Sequence, residues 1–401
     1  MRQACPSGAC SAGDASKAHS TKGKNLWKHI EEILEANYDH PDLQAAKVLC
    51  AGVAAHRIIE HPPAWELLIA PSGSMKTDLL ESLRGLPRVH FVDEVTPNTF
   101  ISGKVEKGGR ERKRPASYLH RLGDDAILVA ADFSTVTAPD KKALALILSQ
   151  LRRIYDGNYS RQFGTVKNLE ERAWAGRLTL LAGATPTVDT QYSVFQALGE
   201  RFVRLRWPRA GGVEAGIKAL HHTSELAPKL RRAVGDLLLP ILSLPAEELV
   251  VPVLPADMEV RIASLTEFIA LARTTVPRER STREISAEPA TEGNTRLPQE
   301  LAQIGRGSAL LCGRITVNEE DFALVERVAF DCMPPTRRQV LEALMRGKSP
   351  YSSGPANALV NRAIEDLELV GLVGKGEGGK YELAARAKAL LQDARMSSPD
   401  S

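Results

Sequence analysis

The chain has 401 residues, of which 43% are hydrophobic and 25% are charged, and its formal net charge is +3. This is a globular composition with room for two or three domains. It excludes a polycationic chain, so any contact with nucleic acid must come from local patches. No run of 18 or more apolar residues occurs, so we expect no membrane span, no signal peptide and no membrane partner.

The five cysteines lie at Cys5, Cys10, Cys50, Cys312 and Cys332. Only the first two are close together, and no second pair or histidine cluster completes a zinc site. We therefore expect no zinc, no disulfide framework and a reducing, cytoplasmic location.

The N-terminal part divides into a polar leader and two helices. Residues 1–24 are rich in Ser, Ala, Gly and Lys, which predicts a disordered leader. From Asn25 to about Ile59, apolar residues recur at a spacing of three to four, which indicates two helices. The run His61-Pro62-Pro63 ends them.

Strand, loop and helix signals then follow in direct succession. The apolar run Trp65–Ile69 precedes the segment Ala70-Pro-Ser-Gly-Ser-Met-Lys-Thr77, and a helix-like stretch covers Asp78–Arg84. A loop of small residues can wrap its N–H groups around phosphates, a lysine can reach the outer phosphates, and a hydroxyl can bind Mg²⁺. The pattern predicts a site for ATP and Mg²⁺ whose contacts come from Pro71, Ser72, Gly73, Ser74, Met75, Lys76 and Thr77.

Two positions in this loop depart from the usual glycine pattern. Ala70 is a mild change, but Met75 places a bulky side chain where the backbone is expected to close on phosphate. Weakened nucleotide binding is therefore an expectation at this position. The alternative interpretation is an ordinary turn before a helix.

Strand and helix signals alternate through the first half of the chain, which predicts an α/β fold with a parallel sheet. The strands are expected at Arg88–Val92, Ala126–Ala131, Gly176–Gly183 and Phe202–Leu205, and an amphipathic helix at Lys141–Tyr155. Between the strands expected at 88–92 and 126–131, residues 102–115 form a polar loop with six basic and two acidic residues. We predict DNA contacts from Arg112, Lys113 and Arg114; a solvated loop is the alternative.

ATP hydrolysis also requires an acid beside Mg²⁺ and a group that orients water. Asp132 is the favoured magnesium ligand, together with Thr77, because it ends a fully apolar strand. Asp93 and Glu94 are rivals, but Asp93 lies only 17 residues after Lys76. Phe133 occupies the usual position of the catalytic glutamate, so either another carboxylate orients the water, with Glu94 the best candidate, or hydrolysis is slow.

Three further residues are candidates for sensing the γ-phosphate. Thr185 ends the strand 176–183, where a polar side chain can touch the phosphate or the attacking water. Arg201 follows a short helix, and in ring ATPases an arginine at that place reaches the neighbour's nucleotide; Arg204 and Arg206 are alternatives. Arg296 opens a later helix and can fold back on the phosphate.

The rest of the chain reads as helices with its own C-terminal pattern. Residues 213–330 are helical apart from a loop at about 278–295, and Asn318 and Asp321 predict a capped helix start. From Pro334, two helices and a glycine-tipped hairpin follow, which is typical of a winged helix. Its DNA contacts are expected at Arg362, Lys375 and Lys380, with Asn357 and Asn361 near base edges; protein binding is the alternative.

These features give four predicted regions. They are a leader (1–24), a P-loop ATPase core with N-terminal helices (25–210), a helical lid (211–332) and a winged-helix domain with a short tail (333–401).

Several segments resemble ATP-binding proteins of bacteriophages and integrative elements. They are Ala131–Val136, Gln150–Gly157, Ala182–Pro186 and Gln196–Phe202. Members of that group show an Asp-Phe-Thr-Thr-like stretch in place of Asp-Glu, so Phe133 is a trait of the group. More broadly, residues 65–345 resemble the AAA+ superfamily, nearest to its minichromosome-maintenance-like helicase branch, through Gly199–Phe202, Arg296 and Gly313–Asp321.

The resemblance implies an AAA+-like ATPase that forms a ring-shaped homo-oligomer and acts on DNA as a helicase, helicase loader or replication initiator. The alternative is a nucleotide-binding switch or scaffold with little hydrolysis, which Met75 and Phe133 favour. A small-molecule kinase is a third possibility, against which the long lid and the winged helix speak.

Overall fold

The computed structural model describes the chain from residue 12 to residue 396 with internal gaps. The described ranges are 12–101, 105–106, 114–115, 117–133, 141–165, 168–197, 199–207, 211–279, 281–282, 284–353 and 355–396. The strands are β1 (Trp65–Ile69), β2 (Val89–Phe91), β3 (Val105–Glu106), β4 (Arg114–Pro115), β5 (Asp125–Ala130), β6 (Asn158–Thr165), β7 (Asn168–Ala175), β8 (Arg177–Ala184), β9 (Phe202–Arg206), β10 (Val373–Lys375) and β11 (Tyr381–Leu383).

Helices make up most of the remaining described chain. They are α1 (Ala12–Asn37), α2 (Leu43–Ala55), α3 (Lys76–Glu81), α4 (Tyr118–Leu122), α5 (Lys141–Tyr155), α6 (Tyr192–Ala197), α7 (Val213–Leu220), α8 (Leu226–Ser243), α9 (Ala256–Arg273), α10 (Leu297–Leu311), α11 (Glu319–Asp331), α12 (Pro335–Met345), α13 (Asn357–Leu369) and α14 (Ala385–Asp393).

A five-stranded parallel sheet in the order β2-β5-β8-β1-β9 forms the centre of the protein, which confirms the predicted α/β fold. Successive side chains of a strand point to opposite faces, and both faces are apolar here. Leu67 and Leu128 lie in the cluster packed under α5, whereas Leu68 and Val129 lie in the cluster shared with α2 and the later helices. A sheet covered on both faces explains why these strands are continuous apolar runs.

The connections leave β1 and β8 in opposite directions. The chain passes from β1 to the far edge strand β2, whereas from β8 it crosses β1 to reach β9. In open α/β sheets, a crevice at the carboxyl ends of the strands opens where this reversal occurs. The segment after Ile69 lies at this point.

The predicted leader is wrong over its second half, because α1 begins at Ala12 and not at Asn25. Alanine and lysine are good helix formers, and a helix already nucleated at Leu26 can extend towards the N-terminus at little cost. Gly23 is buried, and a Cβ atom there would lie 2.4 Å from the carbonyl oxygen of Leu311. The segment therefore packs closely on the end of α10, and residues 1–11 of the leader lie outside the described residues.

Two antiparallel hairpins project from the core, and the sequence pattern indicated neither. β3 pairs with β4 at the base of the basic loop, and β6 pairs with β7 over all eight residues of each strand. The second hairpin leads directly from α5 into β8. Polar and apolar residues are mixed along it, which conceals its period of two.

The helices after residue 211 and the C-terminal elements share one core with the face of the sheet that packs on α2. One continuous apolar cluster runs from Ile30 through Leu265 and Val325 to Leu391. The capped start of α11 is confirmed, since Asn318 Oδ1 accepts from the N–H of Asp321 at 3.3 Å and Asp321 Oδ2 from the N–H of Asn318 at 3.0 Å. The predicted boundary at residues 332–333 lies between α11 and α12, inside this cluster.

Helix α12, helix α13 and the antiparallel pair β10–β11 follow in the order that the winged-helix prediction requires. Across the described ranges, no helix combines the length and the apolar character that crossing a membrane demands.

Candidate nucleotide-binding site

The segment Ala70–Thr77, here called the phosphate loop, connects the carboxyl end of β1 to α3. Gly73 has φ of +76°, a conformation that favours glycine. Lys76 is buried and its Nζ donates to the carbonyl oxygen of Ala184 at 3.0 Å, at the end of the neighbouring strand β8. Ser74 Oγ is buried and has no hydrogen-bond partner in the described part of the chain. A phosphate would supply a partner to both side chains, so the residues present fit such a group.

A cleft of about 510 Å³ opens beside this loop. Gly73, Ser74, Met75 and Thr77 form one wall, and residues 37–41 between α1 and α2 form another. This volume lies within the range of small-molecule sites, about 300–1,000 Å³. The cleft is therefore large enough for a ligand that extends beyond its phosphates.

Three aromatic residues near this cleft were missed by the sequence analysis. Trp207 follows β9 and donates its backbone N–H to the carbonyl oxygen of Ile69 at 2.9 Å. Tyr38 meets the ring of His222 edge-on at 5.0 Å and donates its hydroxyl to Asp78 Oδ2 at 2.9 Å. Burial and the charge of Asp78 raise the pKa of Tyr38. The only sequence signal for these three residues was that aromatic side chains stand near the ends of predicted elements. Because they have no fixed spacing from the phosphate loop, this signal could not assign them to the cleft.

Asp132 follows β5 at the same edge of the sheet. Its side chain is exposed, and its negative charge raises the pKa of Lys76 against the larger lowering caused by burial. The two groups therefore lie within electrostatic reach, as a lysine and a magnesium ligand around one phosphate group require. Phe133 is fully buried, and its ring lies 5.9 Å from that of Phe202. It contributes to the core and offers no polar atom to water.

The carboxylates of Asp93 and Glu94 are exposed and follow β2, the outer strand of the sheet. β5 and β8 lie between β2 and β1, so at about 4.8 Å per strand the two ends are roughly 14 Å apart. Asp132 lies one strand nearer to the phosphate loop than Glu94 does. Both share the carboxyl edge with the loop.

Thr185 directly follows β8 and lies next to Ala184, the carbonyl partner of Lys76. Its hydroxyl is 2.6 Å from that of Thr187. The strand end predicted to carry a phosphate sensor is therefore adjacent to the phosphate loop.

Arg201 lies at the opposite edge of the sheet. It precedes β9, whose first residue, Phe202, pairs with Trp65, the first residue of β1. The five residues of β1 separate this amino edge from the phosphate loop by about 15 Å. Arg201 is nearly buried, and its guanidinium donates to the carbonyl oxygen of Gly199 at 3.2 Å and to Asp156 Oδ1 at 3.5 Å.

The alternatives Arg204 and Arg206 are both held within the chain. Arg204 is fully buried and paired with Glu200 and Asp189. Arg206 pairs with Asp189 at 2.7 Å and donates to the carbonyl oxygen of Asp331 at 2.9 Å. A fully buried Arg204 cannot contact another chain, and Arg206 is held by Asp189 and Asp331, so Arg201 is the better candidate of the three.

Arg296 also lies at the amino edge, because its guanidinium donates to the carbonyl oxygen of Glu200 at 3.2 Å. Arg296 therefore lies away from the phosphate loop of its own chain, and its predicted contact with the γ-phosphate stays a prediction. The reason for this placement is the position of α10, which starts at the amino end of β9 and not above the phosphate loop. Arg201 and Arg296 together form the arginine edge.

The predicted DNA contacts fall into two groups. Arg112 and Lys113 lie outside the described residues, and Arg114 is in the short strand β4. Arg362, Lys375 and Lys380 are exposed, on α13 and on the β10–β11 hairpin. Asn357 is exposed at the start of α13, whereas Asn361 accepts from the Tyr351 hydroxyl at 2.6 Å.

Two carboxylates near the end of α13 pair with arginines of neighbouring segments. Arg278 donates to Glu365 and Asp366 at 2.7 Å each, and Arg337 donates to Asp366 at 2.8 Å. Of the exposed cations, Arg362 lies on α13 itself, one helical turn before these carboxylates. Within the described ranges, no group of three or more His, Cys, Asp or Glu side chains is arranged to hold a metal ion.

No protein-family model and no curated protein matches the chain. Among solved structures, the chain is similar to a full-length MCM homolog from Methanopyrus kandleri, with 15% sequence identity and a TM-score of 0.47. The similarity covers 82% of this chain and 63% of that chain, so less than two thirds of the MCM homolog has a counterpart here.

Proposed function

We propose that the chain is an AAA+-like ATPase that binds ATP and Mg²⁺ at the phosphate loop and acts on DNA. The observation that carries this proposal is the convergence of Ser74, Lys76 and Asp132 at the carboxyl edge of a parallel sheet, beside the cleft. Lys76 would hold the outer phosphates, with further contacts from the loop backbone. Thr77 and Asp132 would hold Mg²⁺, which neutralises the charge that develops during phosphoryl transfer.

The arginine edge supports a site shared between subunits. About 15 Å of sheet separates it from the phosphate loop of the same chain, so its guanidinium groups would act on the nucleotide of a neighbour. In the ring-shaped homo-oligomer that we infer, Thr185 contacts the γ-phosphate from within the chain, and Arg201 and Arg296 approach it from the next subunit.

The DNA contacts are proposed for the helix–helix–hairpin module after Pro334 and for the basic loop between β3 and β4. Exposed Arg362, Lys375 and Lys380 give this module a cationic surface, and such side chains bind backbone phosphates. A phage or mobile-element helicase, helicase loader or replication initiator fits these parts.

One observation favours a second function, a nucleotide-binding switch without steady hydrolysis. Phe133 is buried in the core where the sequence pattern expects a water-orienting carboxylate. Glu94 is the carboxylate that would take over this role, and it follows β2, the edge strand of the sheet.

The first prediction tests nucleotide binding and turnover. Calorimetric titration with Mg²⁺–ATP is expected to give saturable binding, and Lys76→Ala should abolish it because Lys76 is the cation nearest to the proposed phosphates. ATP turnover is measured in parallel, with and without DNA. Turnover that DNA accelerates supports the motor, and tight binding without turnover supports the switch.

Lys229→Ala is the matched control, because Lys229 is an exposed lysine of α8. It should bind and hydrolyse as the unchanged protein does. Absence of saturable binding at millimolar nucleotide in the unchanged protein would overturn the proposed function.

A further inference from the structure

A buried carboxyl group lies behind the arginine edge. Glu300 is in the first turn of α10, is 2% exposed, and accepts a hydrogen bond from the Tyr155 hydroxyl at 2.9 Å. Tyr155 ends α5 and packs edge-on against Trp65, with 5.2 Å between ring centroids. A carboxyl group at such a place is costly unless its charge is used, since an apolar side chain of similar size would pack there without desolvation.

Three guanidinium groups lie within electrostatic reach of this carboxyl. Arg201, Arg273 and Arg296 each lie close enough for their charges to lower the pKa of Glu300. Arg273 is already paired with Glu292. The other two are the members of the arginine edge, and their like charges repel, as the pKa of Arg201, lowered by burial and by Arg296, reflects.

Tyr155 joins the carboxyl to Arg201. The Cζ atom of Arg201 lies 5.4 Å from the centroid of the Tyr155 ring, within the range of a cation–π contact. The same residue thus touches the arginine with its ring and the carboxyl with its hydroxyl. Asp156, the next residue, is the ion-pair partner of Arg201 at 3.5 Å.

We propose that Tyr155 and Glu300 are positioning residues for the arginine edge: the negative charge of Glu300 holds Arg201 and Arg296 side by side, oriented for the phosphates of a neighbouring subunit. This inference rests on the proposed function. Neither residue touches nucleotide; both act through the two arginines.

The charge state of Glu300 then determines whether Arg201 and Arg296 are held side by side. Burial raises the pKa of Glu300 to about 8, against the lowering effects of the Tyr155 hydrogen bond and of the three arginines. Below this pH, the carboxyl is largely neutral and no longer offsets the repulsion between the two guanidinium groups. Turnover should therefore rise as the pH increases through about 8, where the carboxylate forms.

The test is a pH profile of ATP turnover for Glu300→Gln and Tyr155→Phe in the full chain. Glutamine keeps the size and the acceptor but cannot ionise, so above about pH 8, where Glu300 of the unchanged protein is charged, we expect kcat to be about 10- to 100-fold lower, as for a misplaced catalytic group. The rise near pH 8 should be lost. Phenylalanine removes a bond that lowers the pKa of Glu300, so the rise should move to higher pH.

Glu326→Gln is the matched control, because Glu326 is a lid carboxyl whose pKa burial also raises, with Arg261 as its charged neighbour. It should leave kcat and the profile unchanged. Nucleotide affinity, measured by calorimetry, should be the same in all variants, since the loop that binds it is distant.

These measurements distinguish failure of the proposed function from failure of the positioning role. Absence of turnover in the unchanged protein counts against the proposed function. Turnover with an unchanged profile in Glu300→Gln, or an equal loss of kcat at every pH together with lost nucleotide affinity, would overturn the positioning role and leave a structural one.

Discussion

At the scale of one residue, Met75 occupies a position where the sequence pattern expects glycine but the backbone conformation does not require it. The usual glycine at this position led to the expectation that a bulky side chain disturbs the phosphate site. Met75 has φ of −58° and is 4% exposed, and its side chain belongs to the apolar cluster that α2 and the later helices share with the sheet. The position that requires glycine is Gly73, at φ of +76°.

We therefore expect Met75→Ala to change stability more than nucleotide binding. Truncation of a buried methionine should lower the free energy of unfolding by about 2–5 kcal/mol. The dissociation constant for Mg²⁺–ATP should change by less than about threefold, a difference under about 0.7 kcal/mol. Urea denaturation and calorimetry measure the two quantities. Met258→Ala, at a buried methionine of α9, is the control, and loss of binding in Met75→Ala alone would contradict the expectation.

Local patterns identified the residues of the phosphate loop because strand, loop and helix signals adjoin there. Thr185 and Asp132 were equally local, each at the end of an apolar strand. Arg296 could not be placed in this way, since its position depends on how α10 packs against the start of β9. Tyr38 and Trp207 were missed for the same reason, because the cleft brings together segments that are distant in sequence.

At the scale of elements, buried strands and amphipathic helices were predictable, and the β3–β4 and β6–β7 hairpins were not. The helix Lys141–Tyr155 has the predicted bounds, because its apolar stripe repeats at helical spacing. In the β6–β7 hairpin the buried positions include an arginine, Arg172, and Ala173 and Ala175 are apolar but exposed, so the sequence shows no alternation of apolar and polar residues.

A chain of charged groups joins three elements whose packing no sequence pattern indicates. Asp331, the last residue of α11, is fully buried, and its Oδ2 accepts from the N–H of Arg206 at the end of β9 at 2.9 Å and from Arg327 at 3.0 Å. Its other oxygen accepts from Arg338 of α12. The carboxyl end of the sheet is thereby tied to the lid and to the C-terminal module.

Asp331→Asn should consequently be strongly destabilising. Removal of one partner of a buried ion pair costs about 3–5 kcal/mol, and here Arg327 and Arg338 would both lose their common partner. The free energy of unfolding from urea denaturation measures this. Glu342→Gln removes the other partner of Arg338, which lies at 2.7 Å but is partly exposed, and should cost less than about 1 kcal/mol. Similar losses in the two variants would argue against a central role for Asp331.

At the scale of the whole molecule, the two groups of residues assigned to the proposed nucleotide site lie at opposite edges of one sheet. The phosphate loop lies at the carboxyl edge of the sheet and the arginine edge at its amino edge, so under the proposed function a complete site would need two subunits. A closed ring satisfies this need for every subunit, because a head-to-tail contact places one edge against the other around the circle.

Mixed oligomers test this arrangement directly. Lys76→Ala subunits lack the lysine of the phosphate loop but keep Arg201, and Arg201→Ala subunits have the reverse defect, so each alone should be inactive. In an equal mixture, about a quarter of the interfaces pair an intact loop with an intact Arg201, and ATP turnover should return to that fraction of the unchanged protein. A mixture of Arg201→Ala with the double variant should stay inactive. If the first mixture is also inactive although both variants assemble into the same oligomer, Arg201 serves its own chain, and the two edges must communicate through the sheet instead of through a neighbour.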